Sequence, residues 1–240
     1  MSVKSSMKYL LILLLVATKT CSAQQFNYPN LTKQAKNLLS LTPSKWKVIA
    51  TAYGDLNNDQ AEDLSVILEY DLQVSESRAY GDNETEIIKE FQRPRILAVY
   101  FKNNNTYSLV MQNNHFILRE NEGGEAGEPF KALTIANNGL NLTFEGGGLW
   151  RWKLNYEFRY QDKSWALINA NNTSYNPTSG ELTAKNYNFL ERKTTATYGS
   201  IFTRGIANEE REENLYFSQL KTLSNFKKPW TWEITTNNFL

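Results

Sequence analysis

The run Trp150-Arg-Trp-Lys-Leu-Asn-Tyr-Glu-Phe-Arg-Tyr160 decides the fold class, because aromatic or apolar residues alternate without a fault against Arg151, Lys153, Asn155, Glu157 and Arg159. A period of two puts alternate side chains on opposite faces of a strand, so one face here is apolar and the other solvated. That pattern belongs to an antiparallel sheet with one covered face. Leu140, Leu142 and Phe144 predict a neighbouring strand before it. Trp165, Leu167 and Asn169 predict another beyond a turn at Gln161–Ser164. The aromatic row also has the form of a sugar-stacking platform, and Arg151, Glu157 and Arg159 could hold a charged ligand on the opposite face. Core packing is the simpler account of the aromatics. Gly146, Gly147 and Gly148, just ahead, permit close approach of a backbone or a ligand, or form a bulge.

Working towards the N-terminus, two further β-rich runs, Trp46–Ala52 and Leu64–Tyr70, flank Gly54-Asp-Leu-Asn-Asn-Asp-Gln-Ala-Glu-Asp63. Oxygen-bearing side chains fall on alternate positions there: Asp55, Asn57, Asp59 and Asp63. A hard cation such as calcium takes six to eight oxygens from a loop that presents side chains at alternate positions plus a backbone carbonyl. The expected ligands are Asp55, Asn57, Asp59, the carbonyl of Ala61, and Asp63. Three carboxylates so close repel one another unless a cation sits among them. An EF-hand is excluded, since Val66 stands where its bidentate Glu belongs and strands, not helices, flank the loop. A metal-free loop closed by Asx turns is the alternative.

The segment Ala52-Tyr-Gly-Asp-Leu-Asn-Asn-Asp-Gln-Ala-Glu-Asp-Leu-Ser-Val-Ile-Leu68 resembles the FG-GAP or VCBS type of calcium loop, found in propeller blades and many secreted bacterial proteins. Such loops commonly read Gly-Asp-Leu-Asn-Gly-Asp-Gly-x-x-Asp-Leu. The resemblance implies the same five ligands, but Asn58 and Gln60 stand where Gly is usual. Asn tolerates positive φ, whereas Gln is strained by it, which implies a weaker site. Arg95–Val110 is similar to later strands of the same blade, with Asn103–Asn105 as its turn. Gly146–Trp152, Tyr156–Gln161 and Trp165–Ile168 resemble stretches of secreted bacterial proteins that carry one such loop. The resemblance implies fold and compartment, and no reaction.

At the N-terminus, Lys4 and Lys8, the apolar run Leu10–Ala17, and Cys21-Ser22-Ala23 before Gln24 predict a signal peptide over 1–23. The apolar run is shorter than the roughly 20 residues a spanning helix needs. Thr18-Lys19-Thr20 fits lipid attachment at Cys21 poorly. Cleavage after Ala23 removes the one cysteine, so no disulfide is expected. The formal net charge of +1 gives no sign of a nucleic-acid partner. A short helix is expected where Leu31, Ala35, Leu38 and Leu39 share a face, capped by Asn30 or Thr32. Gln73–Glu90 reads as a polar surface connection, Glu120–Pro129 as a solvated acidic loop or second cation site, and Asn169–Lys185 as loop. His115, the one histidine, reads as a surface or hydrogen-bonded residue. Glu209–Asn225 is open between helix and strand, and Trp230, Trp232 and Ile234 suggest a last core strand.

The expectation is a single exported domain over 24–240: mainly β, antiparallel, with an FG-GAP-like blade hairpin and one or two short helices. A sandwich and a small or incomplete propeller both satisfy it. Its location would be periplasmic or extracellular, with no transmembrane segment in the mature chain. There is no nucleophile elbow, phosphate loop, zinc pattern or triad order. The functional reading is a calcium-stabilised binding or structural module without catalytic activity, its partner a glycan, a peptide or a cell-surface protein. The alternative is a carboxylate-dependent secreted hydrolase of glycan or peptide, drawing on Asp55, Glu145 or Glu157.

Overall fold

The computed structural model describes residues 26–80, 86–202, 208–236 and 238–240. The leader expected over 1–23, with Cys21, lies outside them. Two antiparallel sheets stack around a shared core as a sandwich, with no closed barrel.

The first sheet has five strands in the order β1-β7-β6-β3-β2. These are β1 (Gln34–Ala35), β2 (Trp46–Gly54), β3 (Asp63–Tyr70), β6 (Arg95–Asn103) and β7 (Thr106–Asn113). Between β3 and β6, the strands β4 (Val74–Tyr80) and β5 (Glu86–Gln92) pair as a hairpin of their own. That corrects the polar connection expected over 73–90. β3 and β6 read as continuous apolar runs because both of their faces are covered. Ile67, Leu97 and Val99 face the second sheet. Leu64, Val66, Leu68, Ile96, Ala98 and Tyr100 form a second cluster with Leu31, Leu41 and Trp46, against which Phe26 and Tyr28 pack.

The second sheet is a seven-strand meander, each strand pairing with its successor: β8 (Phe130–Ala136), β9 (Gly139–Gly147), β10 (Arg151–Gln161), β11 (Ser164–Tyr175), β12 (Glu181–Asn188), β13 (Lys193–Ser200) and β14 (Glu209–Asn214). Two of its hairpins turn on residue pairs with positive φ, Asn137–Asn138 and Asp162–Lys163. Such turns match the twist of the strands they join and so fix their register. β14 is wholly exposed and charged, which protects this edge from pairing with another chain.

Leu154, Tyr156 and Phe158 of β10 are buried in the shared core, so the aromatic row is packing and not a platform. Trp150 departs from that row. It lies in the turn before β10 and is 46 % exposed. Phe116, in the connection after β7, centres the core, its ring edge-on to Phe144, Tyr156, Phe158 and Phe226.

The expected helix shrinks to α1 (Leu38–Leu41), capped by Asn37, whose side chain accepts from the Ser40 N–H. Gln34 and Ala35 are drawn into β1 by pairing with Ser108 and Tyr107. Asn169–Lys185 is largely strand, not loop. Glu209–Asn225 begins as β14 and continues without regular structure to a bridge at Thr222. Near the C-terminus, β15 (Glu233–Thr235) pairs with β16 (Asn238–Phe239), and Trp232 and Ile234 are buried. Among the described residues no helix is long and apolar enough to cross a membrane.

Candidate functional site

The loop between β2 and β3 carries Asp55, Asn57, Asp59 and Ala61, and the fifth expected ligand, Asp63, is the first residue of β3. Asp55 accepts hydrogen bonds from the backbone N–H groups of Asn58, Asp59 and Gln60 at 2.7, 3.2 and 2.9 Å. The Asn57 carbonyl oxygen accepts from the Asp59 N–H at 3.1 Å, and its amide donates to the Asp59 carboxylate at 2.8 Å. Asp59 also accepts from the Ala61 N–H. Asn58 and Gln60 both take positive φ, 65° and 67°, the positions where the resembled loops carry Gly. Gln60 is strained there, since a left-handed conformation costs a non-glycine residue roughly 1–2 kcal/mol.

Asp63 closes the loop from a fully buried position, accepting from the Leu56 N–H at 2.9 Å and the Lys102 N–H at 2.8 Å. Burial pushes its carboxyl up; those two N–H groups oppose the rise, and the charges of Asp59 and Asp55 add to it. A donor set of carboxylates, one amide oxygen and one backbone carbonyl is of the kind a hard cation takes. Among the described residues, however, no three Asp, Glu, His or Cys side chains form a group able to hold a metal ion.

The hydrolase constellation is not assembled. Glu145 lies opposite Lys153 and Glu157 opposite Asn141 on the β9–β10 ladder, four residues apart along β10. At about 3.4 Å per residue that is roughly 14 Å, beyond the roughly 5–9.5 Å that separates paired carboxylates in most glycosidases. Glu145 is bound to Lys153 at 3.0 Å, and Asp55 is committed to its own loop. His115 is exposed, as expected of a surface residue. The glycine turn is filled by protein: the Gly147 N–H donates to the Gly123 carbonyl, and a Cβ at Gly146 would lie 2.2 Å from the Trp152 ring.

The acidic segment Glu120–Pro129 is in part the solvated loop expected, with Gly124–Ala126 exposed, but three of its carboxylates form ion pairs. Glu120 meets Arg93 at 2.6 Å, Glu128 meets Arg95 at 2.5 Å, and Glu122 meets Lys228 at 3.0 Å with both side chains nearly enclosed. Arg119, fully buried, donates to both oxygens of Glu76, to the Tyr28 hydroxyl and to the carbonyls of Ile117 and Asn114. These guanidinium contacts join the N-terminal segment, β4 and the connection after β7.

The remaining candidate is a trough of about 450 Å³ on the outer face of the meander, against β9 to β14. Its floor is a row of amides, since Asn155, Asn171 and Asn186 stand directly opposite one another in the register. The Thr143 hydroxyl donates to Asn155 at 2.8 Å, Asn155 to Asn171 at 3.4 Å, and Asn171 to Asn186 at 2.6 Å. Glu157, in the next row, accepts from the Asn169 amide at 2.8 Å and lies 3.7 Å from Arg159. Lys193 pairs with Glu212 at 2.6 Å. Of this site, sequence alternation singled out only Glu157 and its neighbours on β10. Asn171 fell in a stretch that reads as loop and Asn186 just beyond its end, and only the cross-strand register reveals them. No protein-family model, curated protein or solved structure matches the chain.

Proposed function

We propose that the protein is an exported binding module, stabilised by calcium at Asp55, Asn57, Asp59, the Ala61 carbonyl and Asp63, that recognises its partner through the trough on the meander. The observation that carries this reading is the trough itself: a recess lined by polar side chains on the outer face of a strand whose inner face is core. A surface recess with convergent polar groups is a default place to look for a bound ligand. The alternating oxygens of the loop, its two left-handed residues and its likeness to FG-GAP loops support the calcium assignment. The leader pattern over 1–23 supports export.

Two measurements test the reading. Isothermal titration of calcium into the chelator-treated domain is expected to give one site that Asp59→Ala abolishes; equal heats in both proteins would remove calcium from the account. For the trough, the side-chain NH2 resonances of Asn155, Asn171 and Asn186 are followed while a peptide digest and a mixture of oligosaccharides are added in turn. Binding shifts these three and spares Asn104, on the β6–β7 turn. No shift with either mixture would refute the trough as the recognition surface.

A further inference from the structure

Asparagine is a poor strand former. Within the strands of the five-stranded sheet it occurs only at Asn103 and Asn113, the last residues of β6 and β7. In β9 to β12 it takes interior places, at Asn141, Asn155, Asn169, Asn171, Asn172 and Asn186. A general bias towards asparagine would have spread it over both sheets. All but Asn172 of these six line the trough. Thr143 and Thr195 stand in the same row as Asn155, Asn171 and Asn186, so a β-branched polar residue fits this face.

The row also has a direction. Each side chain donates towards β12 and accepts from the strand before it. An amide carries two N–H donors. Asn155 and Asn171 each spend one on the next member, and among the described residues both donors of Asn186 lack a protein acceptor. The row therefore offers a line of N–H donors one strand spacing apart, about 4.8 Å, with the carbonyl oxygens of Asn155 and Asn186 beside them, that of Asn171 being filled by Asn155 and Thr173. Of the charged lining residues, Lys193 is held by Glu212, and Glu157 accepts from Asn169 and lies 3.7 Å from Arg159; with Glu191 the lining is acidic, which disfavours an anionic ligand. The strand backbone beneath is fully engaged in the ladders, and the rings of Tyr156 and Tyr187 are buried. An extended peptide would find neither a backbone edge nor an apolar pocket.

Resting on the binding-module reading above, we propose that the trough takes an uncharged, hydroxyl-rich chain, a neutral oligosaccharide, laid across β9 to β12 along the amide row. Sugar hydroxyls both donate and accept, as the amides do. With no ring to stack on, binding depends on several hydrogen bonds acting together, and affinity is weak.

The test is a titration of the 15N-labelled domain with cellohexaose, xylohexaose, maltohexaose and chitohexaose. Hexagalacturonate, hexalysine and a neutral Gly/Ser hexapeptide serve as contrasts. At least one neutral hexasaccharide is expected to shift the NH2 signals of Asn155, Asn171 and Asn186 together. That response should persist in 0.5 M salt, because no ion pair carries it. Asn171→Ala is expected to weaken it about fivefold, the loss of roughly one hydrogen bond. Asn186→Ala, at the exposed end of the row, is a second variant that leaves the inner bonds intact. If only the charged probes or the peptide shift these signals, the oligosaccharide assignment falls while the binding reading stands. If no probe shifts them, both fall.

Discussion

Replacing Arg95 by Met removes a guanidinium that ties three segments together. It donates to Glu69 at 2.8 and 2.5 Å, to Glu128 at 2.8 and 2.5 Å, and to the Leu118 carbonyl at 2.7 Å. The Arg95 and Glu69 side chains are 2 % and 4 % exposed, so the substitution strands a buried carboxylate. Breaking a buried pair from one side costs about 3–5 kcal/mol. Two features soften the loss: Lys47 stays 2.9 Å from Glu69, and Glu128, 45 % exposed, can turn to water. A cost of about 2–4 kcal/mol is expected from urea unfolding at pH 7. At about 2–4 °C per kcal/mol for a domain of this size, Tm falls by roughly 5–15 °C. The pH dependence supplies an internal check. Burial alone would push the Glu69 carboxyl up, but hydrogen bonds and charge from Lys47 and Arg95 outweigh it and hold the carboxyl below its ordinary value of 4.5. A lowered folded pKa means the contribution is fully present above the unfolded value and fades as pH falls through the folded one. The gap between wild type and Arg95→Met should therefore narrow on acidification below pH 4.5. A loss under about 1 kcal/mol at pH 7, the range of surface ion pairs, or a gap that does not shrink in acid, would refute this account of the clamp.

Calcium at about 100-fold its dissociation constant should stabilise the folded domain by about 2.7 kcal/mol. Thermal scans in chelator and in millimolar calcium should differ for the wild type and coincide for Asp59→Ala. Gly146→Ala drives a Cβ into the Trp152 ring and towards the Gly123 carbonyl, 2.2 and 2.7 Å away. It should cost about 1–3 kcal/mol, read by denaturant titration with a change in tryptophan emission. Asn171→Thr exchanges a poor strand former for a good one on an open face, and should leave stability unchanged or raise it by up to about 1 kcal/mol. A loss of more than that in urea would make the amide row a structural device.

Elements were legible wherever a local pattern and the tertiary environment agree. The alternation of β10 and the strands β3 and β6 appear in the fold where the sequence predicts them, although the cover on both faces of β3 and β6 is seen only in the fold. The turn chemistry of 55–63 is equally local, because Asp55, Asn57 and Asp59 bond to N–H groups within five residues. What stayed hidden depends on partners far away in sequence. Asn169 to Tyr175 has the composition of a loop, since isolated asparagines bond to nearby backbone and favour turns. In the sheet, the Asn171 amide is satisfied by Asn186, fifteen residues on, in a neighbouring strand. Glu122 looks solvated in sequence, but its partner Lys228 is 106 residues away. The helical period of Leu31, Ala35, Leu38 and Leu39 is real, yet the pairing of Gln34 and Ala35 with β7 overrides it.

The loop and the trough share a mechanical connection that neither motif suggests alone. Asn138, in the two-residue turn between β8 and β9, donates its side-chain amide to the Asp55 carbonyl at 3.0 Å. The next residue, Gly139, begins β9, and the close packing of Gly54 against Ile135 of β8 holds the two sheets together at the same corner. Three residues beyond Asn138, Asn141 lines the trough opposite Glu157. The Asp55 carbonyl is therefore tied to the turn from which β9 sets out, and β9 supplies one wall of the recess. The loop and the trough are thus joined through one corner of the sandwich, a proximity that the cross-sheet contacts of Asn138 and Gly54 create and that the alternation of β10 does not foretell.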